Sequence, residues 1–191
     1  MNQNVLIAGI GNIFLGDDAF GVEVVRNLVG RLPASARVAD FGIRGFDLAY
    51  ALMESLDLAI LVDAAPRGGL PGTLYAIEPE LPKNAVPEQG SFEGHSITLE
   101  HVFRLVRALG GSLPRLLILG CEPTPLSSEE QQFGRAGLSG AVQASVPVAM
   151  RVIESLVTEF LELRAPLRRI SDLLQAAEWT KMNSFRKEVL A

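Results

Sequence analysis

Three short, uninterrupted apolar runs constrain this chain more than anything else in it: Asn4–Ile10 (NVLIAGI), Leu58–Val62 (LAILV) and Leu116–Gly120 (LLILG). Runs of this length without polar alternation are strands buried on both faces, as in a parallel sheet covered on each side. Between them the apolar spacing changes to the helical period. Phe20, Val24, Val25 and Leu28 predict a helix over Ala19–Leu32, and Leu48, Leu52 and Met53 predict another over Phe46–Leu56. A third helix is expected over Ser96–Leu109, and a long one over Leu138–Leu163 that tolerates Pro147 only with a kink or break. Val38–Phe41 reads as a further strand, and Leu74–Ile77 as a short strand, possibly an antiparallel edge. The fold class is therefore α/β: three layers, with a twisted, mostly parallel sheet and helices on both faces. Such a sheet binds ligands at the carboxyl ends of its strands, here just after residues 10, 41, 63 and 120.

Composition narrows the class of function. The 191 residues match one domain, and 48% of them are hydrophobic, ample for a core. The single cysteine, Cys121, excludes an internal disulfide framework and fits a reducing compartment; it reads as buried and structural. The first residues lack the basic region and cleavage site of a signal peptide, and no apolar stretch approaches the ~20 residues of a membrane span. A cytoplasmic protein is expected, with no membrane association. The net charge of −5 disfavours nucleic acid, although the last 28 residues carry +3. Residues 1–163 are read as the working domain. Residues 164–191 are read as a basic amphipathic helix or tail, with Ile170, Leu173, Leu174, Ala177, Phe185 and Val189 on its apolar side.

Gly9-Ile10-Gly11-Asn12 after the first strand invites a dinucleotide-binding reading. Against it, position 14 is Phe rather than glycine, and Asp17 and Asp18 open the helix where a pyrophosphate needs positive potential. Helix capping accounts for one of these aspartates, not both. Asp63 ends a buried strand, where a carboxylate is hydrogen-bonded or functional. Of the two histidines, His101 falls within a helix as an ordinary surface side chain. His95 closes the Pro/Gly-rich loop 79–94. Asp18, Asp63 and His95 all fall at or near the expected carboxyl edge. Two carboxylates and an imidazole form an open N/O set suited to nickel or zinc.

The stretch Gly9–Gly21 (GIGNIFLGDDAFG) resembles the opening signature of the hydrogenase maturation endopeptidases. These enzymes remove a C-terminal peptide from the large subunit of nickel-iron hydrogenase. The resemblance continues through Asp40–Gly45 (DFGIRG), Val62-Asp63-Ala64, Pro71-Gly72-Thr73 and Gly94-His95, and spans roughly residues 4 to 160. It implies a twisted sheet between helices of the phosphorylase/hydrolase-like kind. It implies that Asp18, Asp63 and His95 bind metal and sense nickel carried by the large-subunit precursor; zinc or cadmium could occupy the site in vitro. It also implies that Asp40 and Gly42 help recognise the cleavage motif. Departures are Ala19, where a glycine often follows the acid pair, and Ile43, where Thr or Ser is usual. Accessory maturation proteins are possible further partners. A non-catalytic nickel-sensing chaperone on the same fold is the alternative reading.

Overall fold

The computed structural model describes residues 4–79, 98–163 and 185–190. The three apolar runs form β1 (Val5–Ile10), β3 (Leu58–Ala64) and β5 (Arg115–Cys121), paired in parallel at the centre of one sheet. β2 (Ala36–Gly42) joins β1 in parallel, and β4 (Leu74–Pro79) joins β5 antiparallel. The sheet order is β2-β1-β3-β5-β4-β6, with β6 at Phe185–Leu190. α1 (Phe20–Leu28) and α5 (Gly140–Leu163) cover one face, around a core that includes Ile7, Ile60, Leu119 and Val152. α2 (Gly45–Leu52) and α3 (Leu99–Ala108) cover the other, around Leu6, Leu61, Ile118 and Val106. Alternate residues of each central strand serve opposite cores, which is why these runs carry no polar position. A short α4 (Ser128–Phe133), held by a Ser127–Glu130 capping box, lies between β5 and α5 and carries no apolar periodicity that would reveal it.

The sequence expectation of three layers holds. Three details differ. β4 is antiparallel as expected but is not the edge, because β6 pairs in parallel along its outer side from Leu74–Phe185 to Pro79–Leu190. Residues 185–190 were expected to continue a helix. Phe185 and Val189 are four apart, a spacing that fits one helical face and one strand face equally, and the unpaired edge of β4 decides for the strand. The rest of that tail, residues 164–184, and loop residues 80–97 lie outside the described residues. Finally, α5 runs unbroken through Pro147.

The packing of α1 depends on two glycines. A Cβ on Gly9 of β1 would collide with the Gly21 carbonyl and the Val25 side chain; one on Gly21 would run into the backbone carbonyls of Val62 and Ile10. The helix therefore seats directly on β1 and β3, backbone against backbone. Gly21→Ala has no flexible side chain to push aside. It should cost about 3 kcal/mol of unfolding free energy in urea titration, as overpacking in a rigid core does.

Among the described residues no helix is long and apolar enough to cross a membrane.

Candidate active site

The carboxyl ends of β1, β2, β3 and β5 bring five carboxylates to one edge of the sheet: Asp17, Asp18, Asp40, Asp63 and Glu122. After β1 the chain turns at Gly11, whose backbone (φ 127°) packs so tightly on the Asp18 carbonyl that any side chain would overlap it. The glycines of this segment thus serve close packing of the turn, not a phosphate. Gly16–Ala19 then forms one turn of 3-10 helix leading into α1. Successive residues of a 3-10 turn project about 120° apart, so Asp17 and Asp18 face different neighbours.

Neither aspartate caps a helix, contrary to the sequence expectation. Asp17 is buried and accepts hydrogen bonds from the Thr124 N–H (2.8 Å), the Ser139 N–H (2.5 Å) and hydroxyl (2.8 Å), and the Arg135 guanidinium (3.3 Å). Burial acts to raise its carboxyl, but the Ser139 and Thr124 donors outweigh it and hold it below the usual carboxylate value. Asp18 is partly exposed. Its Oδ2 accepts the Asn12 N–H at 2.6 Å; among the described residues no hydrogen bond reaches its other oxygen.

Asp63 stands at the end of β3, as expected, paired with Gly120 of β5 and followed in the strand only by Ala64. Its Oδ1 accepts the N–H of Ala64 at 2.8 Å. Burial first, and then the charge of neighbouring Asp18, push its carboxyl up to about 7, against the weaker pull of that N–H. The structure therefore brings together two of the three residues expected at the site, with the charge of Asp18 acting on Asp63. The third, His95, lies outside the described residues. Thr98, three residues later, is the N-cap of α3, and Leu99 lines a shallow pocket at this same edge with Ile10, Phe41, Gly42 and Arg44. Among the described residues no three His, Cys, Asp or Glu side chains converge as a metal site. His101 is exposed, with Nδ1 3.1 Å from the Thr98 hydroxyl, as expected of a surface side chain. Cys121 is buried, its thiol pushed up to about 12 by burial; it is structural, not nucleophilic.

Asp40 accepts from Arg26 of α1 at 3.0 and 3.1 Å, and the Arg44 guanidinium covers its carbonyl. Pairing of β1 with β2 shifts register here, with Gly9 opposite Asp40 and Ile10 opposite Gly42, so that Phe41 is the extra residue of a bulge. Gly42 (φ 53°) gives its carbonyl to the Gly11 N–H at 3.1 Å and so ties the two turns together.

Sequence reasoning missed Glu122. It is buried beyond β5 and accepts the N–H groups of Arg67, Gly68 and Gly69 and the Tyr75 hydroxyl (2.6 Å), so it gathers the turn that follows Asp63. Burial opposes its charge, yet the Tyr75 hydroxyl and the three N–H groups keep it below the ordinary glutamate value. The signal was present: a carboxylate following the apolar run LLILGC, as Asp63 follows LAILV.

A family model described as hydrogenase maturation protease matches residues 22–156, about seven-tenths of the chain. The chain belongs to the hydrogenase maturation protease family. The matched residues begin just past the aspartate pair and include Asp40, Asp63 and His95. Hydrogenase expression/formation protein HoxM of Azotobacter vinelandii is 33% identical over 160 residues, covering 82% of this chain and 73% of its own. The hydrogenase 2 maturation protease of Escherichia coli is 28% identical over 162 residues, covering 82% and 92%. Among solved structures, the hydrogenase maturating endopeptidase HybD from E. coli superposes with a TM-score of 0.61 at 25% identity, over 82% of this chain and 93% of that one. Membership makes the chain a peptide-bond hydrolase of hydrogenase maturation, and the α/β sheet is the family's fold.

The raised carboxyl of Asp63 has a consequence for stability. Its folded value near 7 exceeds the unfolded 3.8, so the native state binds more protons between them and loses stability as pH rises through that window. Asp63→Asn carries no charge to desolvate. At pH 8 the metal-free variant should be more stable than wild type by about 1–2 kcal/mol in urea titration, with the gain shrinking towards zero at pH 4.

Proposed function

We propose that this chain is the endopeptidase that removes the C-terminal peptide of a nickel-iron hydrogenase large-subunit precursor, and that it cuts only after nickel has been inserted. The observation that carries the reading is the Asp18–Asp63 pair: two carboxylates at the carboxyl edge of the sheet, where burial first and the charge of Asp18 second raise the Asp63 carboxyl. A pair of this kind is an incomplete cation site. It disfavours two negative charges while alone and accepts both when a divalent ion arrives. His95 completes an open N/O set, for which nickel carried by the precursor is the substrate ion.

Conditional cutting follows from that incompleteness. A site with few protein ligands gains its full affinity only from a precursor that already carries the metal, so recognition depends on loading. Asp40, Gly42 and the backbone of the bulge around Phe41, at the end of the neighbouring strand β2, are the proposed readers of the chain next to the scissile bond. Exposed apolar side chains at the same edge, Phe14, Ile43, Phe46 and Phe133, suit a macromolecular substrate better than a small ligand. The lone cysteine fits a reaction in a reducing compartment such as the cytoplasm, with the precursor and accessory maturation proteins as partners.

The test is incubation of the purified protein with nickel-loaded and nickel-free precursor from the same source, followed by intact-mass spectrometry. Loss of the C-terminal peptide from the loaded form alone is expected. Cleavage of both forms would retain the protease and discard the nickel gate; with a verified cognate precursor, cleavage of neither would reject the proposed reaction. In the same assay His95→Ala should keep the thermal transition of the wild type and reduce cleavage by about a thousandfold or more, the scale seen when a group acting at the reacting centre is removed. Normal trimming by that variant would remove His95 from the site.

A further inference from the structure

We infer that Asp17 is a positioning residue, a buried carboxylate that fixes the Asn12–Asp18 turn from behind and so sets the direction of the Asp18 carboxylate. The inference rests on the reading of Asp18 as part of the working site. Asp17 and Asp18 are adjacent, but one is consumed by the protein and the other is presented by it.

The donors to Asp17 come from three places distant in sequence: Thr124 beyond β5, Arg135 beyond α4, and Ser139 at the start of α5. They are themselves linked, since the Thr124 hydroxyl donates to the Ser139 hydroxyl at 3.0 Å, which donates on to Asp17. The positive end of the 24-residue α5 faces the same carboxylate through the Ser139 N–H. Around this charge the backbone is stitched in parallel. Gly16 donates to the Arg135 carbonyl at 2.8 Å, and Arg135 donates to the Phe14 carbonyl at 2.9 Å. The guanidinium of Arg135 also pairs with Glu130 at 3.6 Å, so the clasp reaches α4. On the opposite side of the turn stands the Asn12 N–H bond to Asp18. Without the Asp17 hydrogen bonds the turn that carries Asp18 keeps, among the described residues, its local bonds, the Gly11–Gly42 tie and the backbone pairing with Arg135.

The position of Asp18 can be read without metal or substrate through the Asn12 amide, which its carboxylate holds. In Asp17→Asn the carboxylate that collects four donors becomes an amide that must turn an NH2 towards some of them. Amide hydrogen exchange by NMR should show Asn12 exchanging about tenfold faster, with its downfield proton shift lost, while Ile7 and Ala8 inside β1 change only as global stability does. Leu156→Ala, a cavity mutant about 26 Å along α5 from Ser139, serves as the control. It should lower global stability and leave Asn12 unchanged at matched stability. Should Asp17→Asn not fold, Ser139→Ala removes a single donor and should speed Asn12 exchange about threefold. Wild-type protection and shift at Asn12 in a folded clasp variant would overturn the inference, as would the same local loss in Leu156→Ala. Neither result bears on nickel-dependent cleavage, whose failure in the wild type would leave the clasp standing.

Discussion

The contact on which the rest depends is the seating of α1 directly on β1 and β3, made possible by Gly9 and Gly21. Ordinary helix-on-sheet packing keeps a layer of side chains between the two. Here backbone meets backbone, so α1 begins immediately beside the end of β1, and the linking residues have to fold back in a tight 3-10 turn. That compression brings Asp18 next to Asp63 of the neighbouring strand. A single methyl group in the contact would lift the helix and carry Asp18 away from its partner. The glycine-rich opening that looks like a phosphate loop is thus a spacing device that sets where the two acids after it stand.

Three carboxylates at this edge share the same kind of setting and meet different fates, decided by donors. Asp17 collects two backbone N–H groups, a hydroxyl and a guanidinium; Glu122 collects three backbone N–H groups and a phenol. Both remain ionised in spite of burial. Among the described residues Asp63 has one N–H donor and a like-charged neighbour, and of the three it alone is pushed towards neutrality. Unmet demand of this sort costs stability and persists where a site has use for it. The two satisfied acids bracket the unsatisfied one. Asp17 braces the turn before α1, and Glu122 gathers the turn after β3.

Much of this was readable in the residues, because the strongest signals are the ones burial writes. NVLIAGI, LAILV and LLILG could only be strands covered twice, and their alternation with helical periods forced the layered sheet and its carboxyl-edge site. Asp18 and Asp63 followed from that edge. What escaped was whatever depends on contacts between distant segments. The clasp on Asp17 needs Thr124, Arg135 and Ser139, none of which announces a partner more than a hundred residues away. Glu122 was overlooked although the apolar run before it carried the same warning as Asp63. The ending at 185–190 was misread because a spacing of four satisfies both periodicities, and only the open side of β4 decides between them.

The parallel pairing of β1 with β3 bears on the time at which the protein becomes competent. Asp18 and Asp63 are separated by 45 positions in the chain, and the pairing of Gly9 with Val62 brings them together. A slip of one residue in that pairing would turn Asp63 to the opposite side of the sheet, among the side chains under α1 and α5. No local segment, helix or hairpin formed early in folding contains both acids. The acid pair therefore comes into existence only with the finished sheet, and a half-folded or misregistered chain presents no such pair.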